Sequence, residues 1–216
     1  MREQLIQKVL DKKIVSIVRG VYGEDCVKLA QALYEGGIEL LEVTFDQAKP
    51  DELTRTSDSI KLLVECLGDK MVFGAGTVTT VEMLELAKNA GAKFIVSPDT
   101  NEEVIRETVA AGMVSMPGAL TPTEVVTAHR WGADFVKLFP AGTQGTAYFK
   151  AVTAPLNHIR MLAVGGVNEK NIADFLAAGA VGAGVGGNLV NKTWIKNGEF
   201  DKITAVAREF VKNAGL

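Results

Sequence analysis

The segment Arg130–Phe139, RWGADFVKLF, holds a helix end, a glycine and a buried strand within a few residues. The helical pattern stops at Gly132, and glycine adopts the left-handed conformation that ends helices more easily than any other residue. An apolar run begins at Phe135, as is typical of a strand that is covered on both faces of a parallel sheet. The segment therefore predicts a helix-to-strand transition of an α/β fold.

The same transition recurs along the chain. In the segments YEGGIELLEV, NAGAKFIVSP, AAGMVSMPG and AAGAVGAGVG, a glycine again joins a helical pattern to a short apolar run. The glycines predicted to end these helices are Gly37, Gly91, Gly112 and Gly179. Helix starts are predicted at capping boxes, in which a threonine is followed three residues later by a glutamate, at Thr79, Thr100 and Thr121.

The apolar runs predict eight strands. They lie at about 14–19, 39–45, 71–76, 94–97, 113–116, 134–139, 160–164 and 181–186, with an extra helix at 2–11 and a final helix at about 199–213. Eight alternating units predict a single α/β domain over residues 1–216, a (β/α)8 TIM barrel. An open doubly wound sheet is the alternative, although the first strand lacks the GxGxxG motif of its dinucleotide-binding form.

Composition and charge exclude several classes of function. The 216 residues are 47% hydrophobic and 23% charged, and the formal net charge is −3. The basic residues form no stripe along the sequence, so no nucleic-acid partner is expected. No apolar segment reaches the roughly 20 residues of a membrane span. The charged N-terminal segment lacks the apolar centre of a signal peptide, and a cytoplasmic protein is therefore expected.

Metal chemistry is not expected from the sequence. Cys26 and Cys66 fall in helical patterns, as is typical of reduced structural thiols. His129 and His158 have no partners at metal-ligand spacing, so neither a zinc site nor another metal site is predicted.

Charged residues stand at three predicted strand ends, where the active site of a TIM barrel lies: Arg19, Glu42 and Lys137. Because side chains alternate along a strand, Lys137 shares the inward face of its strand with Phe135 and Phe139. Burying an ammonium group is costly. The three charges are therefore expected to meet one another or a ligand.

Burial between aromatic rings, with Arg19 nearby, is expected to lower the pKa of Lys137. A neutral amine can attack a ketone and form a Schiff base. Glu42 is the acid among the strand ends that can move protons, and burial raises the pKa of such a group. The alternative is an ion pair between Glu42 and Lys137 that only holds the barrel together.

Two glycine pairs close the last two predicted strands: Gly165-Gly166, and Gly186-Gly187 followed by Asn188. The loops after these strands form the recurrent phosphate site of the fold. Glycine lets backbone N–H groups approach an oxyanion, and a helix predicted from near Asn168 adds a favourable dipole. The alternative is that both pairs are merely tight turns.

The motifs LLEVTF, VFGAGTV, FIVSP, MPGALTPTE, VKLFPA, AVGGV and GVGGNLV resemble, in order and spacing, the class I 2-keto-3-deoxy-6-phosphogluconate (KDPG) / 4-hydroxy-2-oxoglutarate (KHG) aldolases. The similarity runs from about Ile14 to the C-terminus. It implies a homotrimeric (β/α)8 barrel that needs neither metal nor cofactor. The implied reaction cleaves a phosphorylated keto acid, a 2-keto-3-deoxy-6-phospho sugar acid, to pyruvate and glyceraldehyde 3-phosphate, and extends to 4-hydroxy-2-oxoglutarate, which gives pyruvate and glyoxylate.

The resemblance also implies roles for individual residues. By this resemblance Lys137 forms the Schiff base and Glu42 moves protons. Thr77 helps to hold the pyruvyl part of the substrate, and the pocket is lined by Pro98 and Phe139.

The sequence departs from the family pattern at three places. Some members bind the substrate carboxylate through an arginine where this chain has Asp46; others carry that arginine at the end of the first strand, as Arg19 here. Gly187 stands where a serine is frequent, which leaves backbone donors and Asn188 for the phosphate. Val164 replaces the threonine of gluconate-specific members, as in the galactonate-type branch, so a relaxed or inverted preference at C4 is expected.

Two other functions are compatible with the residues alone. A phosphosugar isomerase or epimerase would use Glu42 as the base, with Lys137 contributing only its charge. A non-catalytic barrel that binds sugar phosphates would use neither in chemistry.

Overall fold

The computed structural model describes residues 2–49, 53–187 and 189–216. Its strands are β1 (Ile14–Val18), β2 (Leu40–Thr44), β3 (Val72–Gly76), β4 (Phe94–Val96), β5 (Val114–Met116), β6 (Gly118–Ala119), β7 (Val136–Leu138), β8 (Met161–Val164) and β9 (Gly182–Val185). Its helices are α1 (Arg2–Lys12), α2 (Gly23–Glu35), α3 (Leu53–Leu67), α4 (Val81–Asn89), α5 (Glu102–Ala110), α6 (Pro122–Arg130), α7 (Ala141–Thr153), α8 (Ile172–Ala177), α9 (Lys192–Asn197) and α10 (Phe200–Asn213). In the part of the chain described, none of these helices combines the length and apolar character needed to cross a bilayer.

The strands form one parallel sheet that closes on itself. Their order is β5-β4-β3-β2-β1-β9-β8-β7-β6. The two ends of this order, β5 and β6, are separated along the chain by Pro117 alone. The carbonyl of Pro117 accepts a hydrogen bond from the Lys137 N–H at 2.8 Å, which joins the broken strand to β7. The predicted barrel is thus confirmed, and the alternative prediction of an open doubly wound sheet was wrong. The continuation of the fifth predicted strand beyond Pro117 was not predicted.

Apolar side chains cover both faces of the barrel wall, in one layer inside the barrel and one layer outside it. The inner layer fills the barrel with side chains from its strands, including Leu40, Phe94, Phe135 and Leu162. Ile6 of α1 packs on the same cluster, so the extra N-terminal helix contributes to the inner core. The outer layer packs the opposite strand faces against the helices and includes Leu41, Val43, Val136 and Leu138.

The predicted helix ends are confirmed at all five glycines. Gly37, Gly91, Gly112, Gly132 and Gly179 have φ angles of 94°, 93°, 71°, 103° and 105°. Only glycine enters this left-handed region without strain.

One of the three predicted capping boxes is confirmed, at Thr121 and Glu124. The other two predictions were wrong by one residue, because the helices are capped by Thr80 and Asn101. The hydroxyls of the residues predicted as caps bind elsewhere: Thr79 donates to Gln47 Oε1 and Thr100 donates to the carbonyl of Gly118.

Candidate active site

A cavity of about 340 Å³ lies at the carboxyl ends of the strands. All the described residues that the sequence predicted for the site line it: Arg19, Glu42, Thr77, Pro98, Lys137, Phe139, Val164, Gly165, Gly166, Gly186 and Gly187. Asn188, which was also predicted to bind phosphate, lies outside the described residues. The barrel therefore brings side chains from distant parts of the sequence to one place.

Lys137 lies in the middle of β7 and is 7% exposed. Its neighbours along the strand pack outward against the helices, so its own side chain points into the barrel. The ammonium nitrogen Nζ lies 4.9 Å from the centroid of the Phe139 ring. Burial lowers the pKa of Lys137, and the charge of Arg19 lowers it further, while Glu42 and Asp99 act in the opposite direction.

Glu42 lies in β2, directs its side chain to the inside of the barrel and is 2% exposed. Burial raises the pKa of Glu42 to about 6, against the positive charges of Lys137 and Arg19. A carboxyl with such a pKa exchanges its proton near neutral pH. It is therefore suited to general acid–base catalysis.

The geometry argues against a purely structural ion pair. Neither Glu42 nor Lys137 takes part in any of the ion pairs found among the described residues. Each nevertheless shifts the pKa of the other through its charge. The two groups thus interact at longer range and both face the cavity, where a bound molecule would meet them.

Arg19 and Thr77 form a second pair at the mouth of the cavity. Nη2 of Arg19 donates a hydrogen bond to Oγ1 of Thr77 at 3.3 Å. Thr77 has a φ angle of 58°, which β-branched residues rarely adopt. Such strain is most often found at functional sites, where the surroundings hold the residue in place.

The glycine pairs line the part of the cavity that follows β8 and β9, and β9 is the neighbour of β1, which precedes Arg19. Gly165 and Gly166 have φ angles of 85° and 79°, and a Cβ at Gly165 would lie 3.0 Å from the ring of Phe139. Within the described residues, the backbone N–H groups of Gly166, Val167 and Gly187 donate to no protein acceptor. These donors are therefore available to an anion in the cavity.

The helix predicted from near Asn168 begins later than expected, because α8 starts at Ile172. Oδ1 of Asn168 accepts hydrogen bonds from the N–H groups of Lys170 and Asn171, which holds this segment in a turn. The Asn168 carbonyl still accepts a hydrogen bond from the Ile172 N–H at 3.0 Å, so one helical turn precedes α8 and the predicted helix start is displaced by four residues.

Several residues of the site were missed in the sequence. Ile17 and Gly184 line the cavity and precede Arg19 and Gly186 by two positions on the same strand faces, so strand alternation could have identified them. Asp99 was also missed: its charge raises the pKa of Lys137. Its position directly after Pro98, at the end of a predicted strand, could have identified it.

The arrangement combines a buried amine of lowered pKa, a carboxyl whose pKa is raised to about 6 and a glycine-rich loop region whose backbone N–H groups have no protein acceptor among the described residues. An amine can form an imine with a ketone, and a carboxyl can transfer the protons that imine formation and breakdown require. In the described part of the chain no three His, Cys, Asp or Glu side chains cluster in a way that could hold a metal ion.

Comparison with known proteins identifies close relatives. The family model "KDPG and KHG aldolase" matches residues 5–206. The 2-dehydro-3-deoxy-6-phosphogalactonate aldolase of Escherichia coli K12 is 35% identical over 82% of this chain and 83% of its own length. The 2-dehydro-3-deoxy-phosphogluconate aldolase of Treponema pallidum is 34% identical over 94% of both chains.

Solved structures agree with these relatives. The KDPG aldolase of Legionella pneumophila, with pyruvate captured as a covalent carbinolamine intermediate, superposes with a TM-score of 0.83 at 26% identity, over 94% of this chain and 96% of its own. A carbinolamine is the adduct of an amine and a ketone that precedes an imine.

Proposed function

The chain belongs to the KDPG and KHG aldolase family, and from this premise we propose that it cleaves 2-keto-3-deoxy-6-phospho sugar acids through a Schiff base on Lys137. The family and the named relatives are aldolases, which are carbon–carbon lyases. The observation that carries the proposal is the buried, cavity-facing amine of Lys137, whose pKa is lowered beside an acid that titrates near pH 6.

The reaction begins when neutral Nζ of Lys137 attacks the C2 ketone of the substrate. The resulting carbinolamine loses water to give a protonated imine. Glu42 then accepts the proton of the C4 hydroxyl, and the electrons of the C3–C4 bond move to the imine as the aldehyde leaves. Glu42 returns a proton to C3 of the enamine, and hydrolysis releases pyruvate and regenerates the amine.

The two ends of the substrate are held by two different sets of groups that line the cavity. Arg19 and Thr77, which hydrogen-bond each other, bind the carboxylate next to the ketone. The phosphate binds the glycine-rich wall at Gly165-Gly166 and Gly186-Gly187. The backbone N–H groups there that donate to no protein acceptor support this assignment. A role for Asn188 in phosphate binding stays a prediction.

The substrate class includes both C4 epimers. Relatives named for the galactonate and for the gluconate acid are similarly close to this chain, at 35% and 34% identity. Val164 is 4% exposed and lines the cavity with a side chain that cannot hydrogen-bond to a C4 hydroxyl. We propose that this chain accepts both epimers or prefers the galactonate one. Because the family also includes KHG aldolases, 4-hydroxy-2-oxoglutarate is proposed as a further substrate.

The decisive experiment is reductive trapping. Borohydride added with pyruvate should attach about 72 Da to Lys137, the mass of a reduced pyruvate imine. Lys137→Met should abolish both the adduct and cleavage, whereas Lys150→Met, which changes an exposed lysine of α7, should affect neither. Cleavage that survives in Lys137→Met would sink the Schiff-base mechanism. An isomerase or epimerase that uses Glu42 alone, or a non-catalytic binding barrel, predicts no adduct.

Two wider properties belong to the same proposal. A homotrimer is proposed by resemblance to the family and is tested by light scattering of the eluting protein. A cytoplasmic location follows from the substrate, because a phosphorylated acid crosses an apolar bilayer only with a large desolvation cost.

A further inference from the structure

Three loops at the carboxyl ends of the strands are connected through Thr77. Its hydroxyl accepts a hydrogen bond from Arg19, as described above. Its backbone carbonyl accepts a second bond, at 2.8 Å, from Nε2 of Gln47. The other end of the same Gln47 amide, Oε1, accepts from Oγ1 of Thr79 at 3.4 Å. Gln47 therefore spans the loops that follow β2 and β3.

The local sequence presents Gln47 to Thr77. Oδ1 of Asp46 accepts from the N–H of Ala48 at 3.1 Å, and the Asp46 carbonyl accepts from the N–H of Lys49 at the same distance. An aspartate that bonds the backbone two residues on stabilises a turn. In this chain Asp46 thus forms a turn that places the following side chain over the neighbouring loop.

We propose that Gln47 is a positioning residue for the carboxylate of the 2-oxo acid substrate. Gln47 acts by holding the Thr77 backbone in its left-handed conformation, from which the Thr77 hydroxyl meets Arg19. A β-branched residue leaves this conformation when its surroundings do not hold it. The inference rests on the proposed function, since it assumes that Arg19 and Thr77 bind the carboxylate.

The position of Gln47 predicts which step is affected. Its bonds reach Thr77 and Thr79 in the loop after β3 and Met83 of α4. Lys137 and Glu42 lie on β7 and β2 and form no hydrogen bond with Gln47 among the described residues. Loss of the Gln47 amide should therefore weaken binding of the oxo acid and leave the chemical steps intact.

Two variants of Gln47 test its hydrogen bonds to Thr77 and Thr79 separately. Gln47→Met keeps the length of the side chain and removes both amide groups. Gln47→Glu keeps an acceptor for Thr79 but directs a carboxylate oxygen toward the Thr77 carbonyl, so it should be more harmful. The matched control is Gln31→Met on α2, where a partly exposed glutamine amide donates to Oε1 of Glu35 at 2.9 Å and Gln31 does not line the cavity.

The measurement is the pyruvate concentration that gives half-maximal borohydride trapping of Lys137, together with KM and kcat for cleavage. One neutral hydrogen bond corresponds to about a three- to tenfold change in equilibrium. We expect the half-saturating concentration and KM to rise by that factor in Gln47→Met and by more in Gln47→Glu, with kcat and maximal trapping retained. The values of Gln31→Met should stay unchanged.

A double-mutant cycle with Thr77→Val, which removes only the hydroxyl that Gln47 is proposed to position, completes the test. If Gln47 acts through this hydroxyl, Gln47→Met should have little further effect once the hydroxyl is removed. An equal factor in both backgrounds, an unchanged half-saturating concentration or a loss confined to kcat would each overturn the inference. Should Gln47→Met fail to fold, Gln47→Glu is judged by the same criteria. Failure of the unmodified protein to be trapped would instead contradict the proposed function.

Discussion

A Cβ atom at Gly76 would lie 2.5 Å from Oε1 and 2.8 Å from Cδ of Glu42. The glycine that ends β3 therefore makes room for the carboxyl group of the neighbouring strand inside the barrel. Buried there, Glu42 has a pKa of about 6, although the charges of Lys137 and Arg19 favour its ionised form. The absence of a side chain at Gly76 thus leaves space for the Glu42 carboxyl inside the barrel, where burial raises its pKa.

The first prediction concerns pH. In the proposed mechanism Glu42 accepts the proton of the C4 hydroxyl, which only its ionised form can do, and burial raises its pKa to about 6. Protonation of Glu42 should therefore lower kcat/KM as the pH falls through about 6, by close to tenfold per pH unit below it, in addition to the loss caused by protonation of Lys137. The same acid limb should be missing from the residual activity of Glu42→Gln. A limb that persists there would belong to another group.

The second prediction concerns the size of the Glu42 contribution. Glu42→Gln keeps the shape of the side chain but cannot carry the proton, so kcat should fall by about 10²–10⁴-fold. Trapping of pyruvate on Lys137 should partly survive, because the amine and its pocket remain. As a control, Glu103→Gln changes an exposed acid of α5 and should leave turnover intact. A loss of less than about tenfold in Glu42→Gln would argue against Glu42 as the proton carrier.

The third prediction concerns Arg19. A charge-assisted hydrogen bond of this kind contributes roughly 1.5–3 kcal/mol, so Arg19→Ala should raise KM by about ten- to a hundredfold for every 2-oxo acid substrate alike. Steady-state kinetics with the phosphorylated sugar acids and with 4-hydroxy-2-oxoglutarate test this. The control is Arg106→Ala on α5, which removes an exposed arginine paired with Glu102. Unchanged kinetics in Arg19→Ala would move the carboxylate site to Thr77 and backbone donors alone.

Local sequence patterns were sufficient to predict the barrel fold and the inward orientation of Glu42 and Lys137. Glycines at helix ends and short apolar runs predicted every strand except β6, and strand alternation predicted that Glu42 and Lys137 face inward. These features depend on residues that are close together in the chain. Geometry within a strand or a helix end is set mainly by local conformation, so it can be derived from the sequence.

Features that depend on distant partners could not be derived in this way. The hydroxyl of Thr100, predicted to cap a helix, binds the Gly118 carbonyl, and Asn101 is the cap instead. Likewise Gln47 and Thr77 are 30 positions apart, and only the folded barrel brings their loops together. No periodicity identifies such a contact, because the competing partner is supplied by tertiary structure.

The fourth prediction concerns Gly187, where the sequence lacks the serine frequent in the family. A Cβ at Gly187 would have no atom within 4 Å, and its φ lies outside the left-handed range, so Gly187→Ser should fit without strain. The added hydroxyl can donate to the phosphate, and KM for phosphorylated substrates should fall by about tenfold. Cleavage of 4-hydroxy-2-oxoglutarate, which has no phosphate, is the internal control and should not change. An equal effect on both substrates would place the phosphate elsewhere.

The fifth prediction concerns the C4 hydroxyl and Val164. Val164 lies at the end of β8 with its Cγ2 3.0 Å from the position of a Cβ on Gly184, so it is closely packed against the wall of the cavity. Valine cannot hydrogen-bond to the substrate, and an apolar wall separates substrates that differ by a small group by only about 10–200-fold. Val164→Thr has nearly the same shape and adds a donor. It should shift the ratio of kcat/KM values toward the gluconate epimer.

A second variant separates the effect of the added hydroxyl from the effect of altered packing at Val164. Val164→Ala removes bulk without adding a donor, so it should lower kcat/KM for both epimers without favouring the gluconate one. Measuring kcat/KM for both epimers in the unmodified protein and in the two variants decides the matter. A strict gluconate preference in the unmodified protein, or the same ratio in Val164→Thr, would show that Val164 only packs. The Schiff-base mechanism would stand in either case, because it depends on Lys137 and Glu42 rather than on the wall that faces C4.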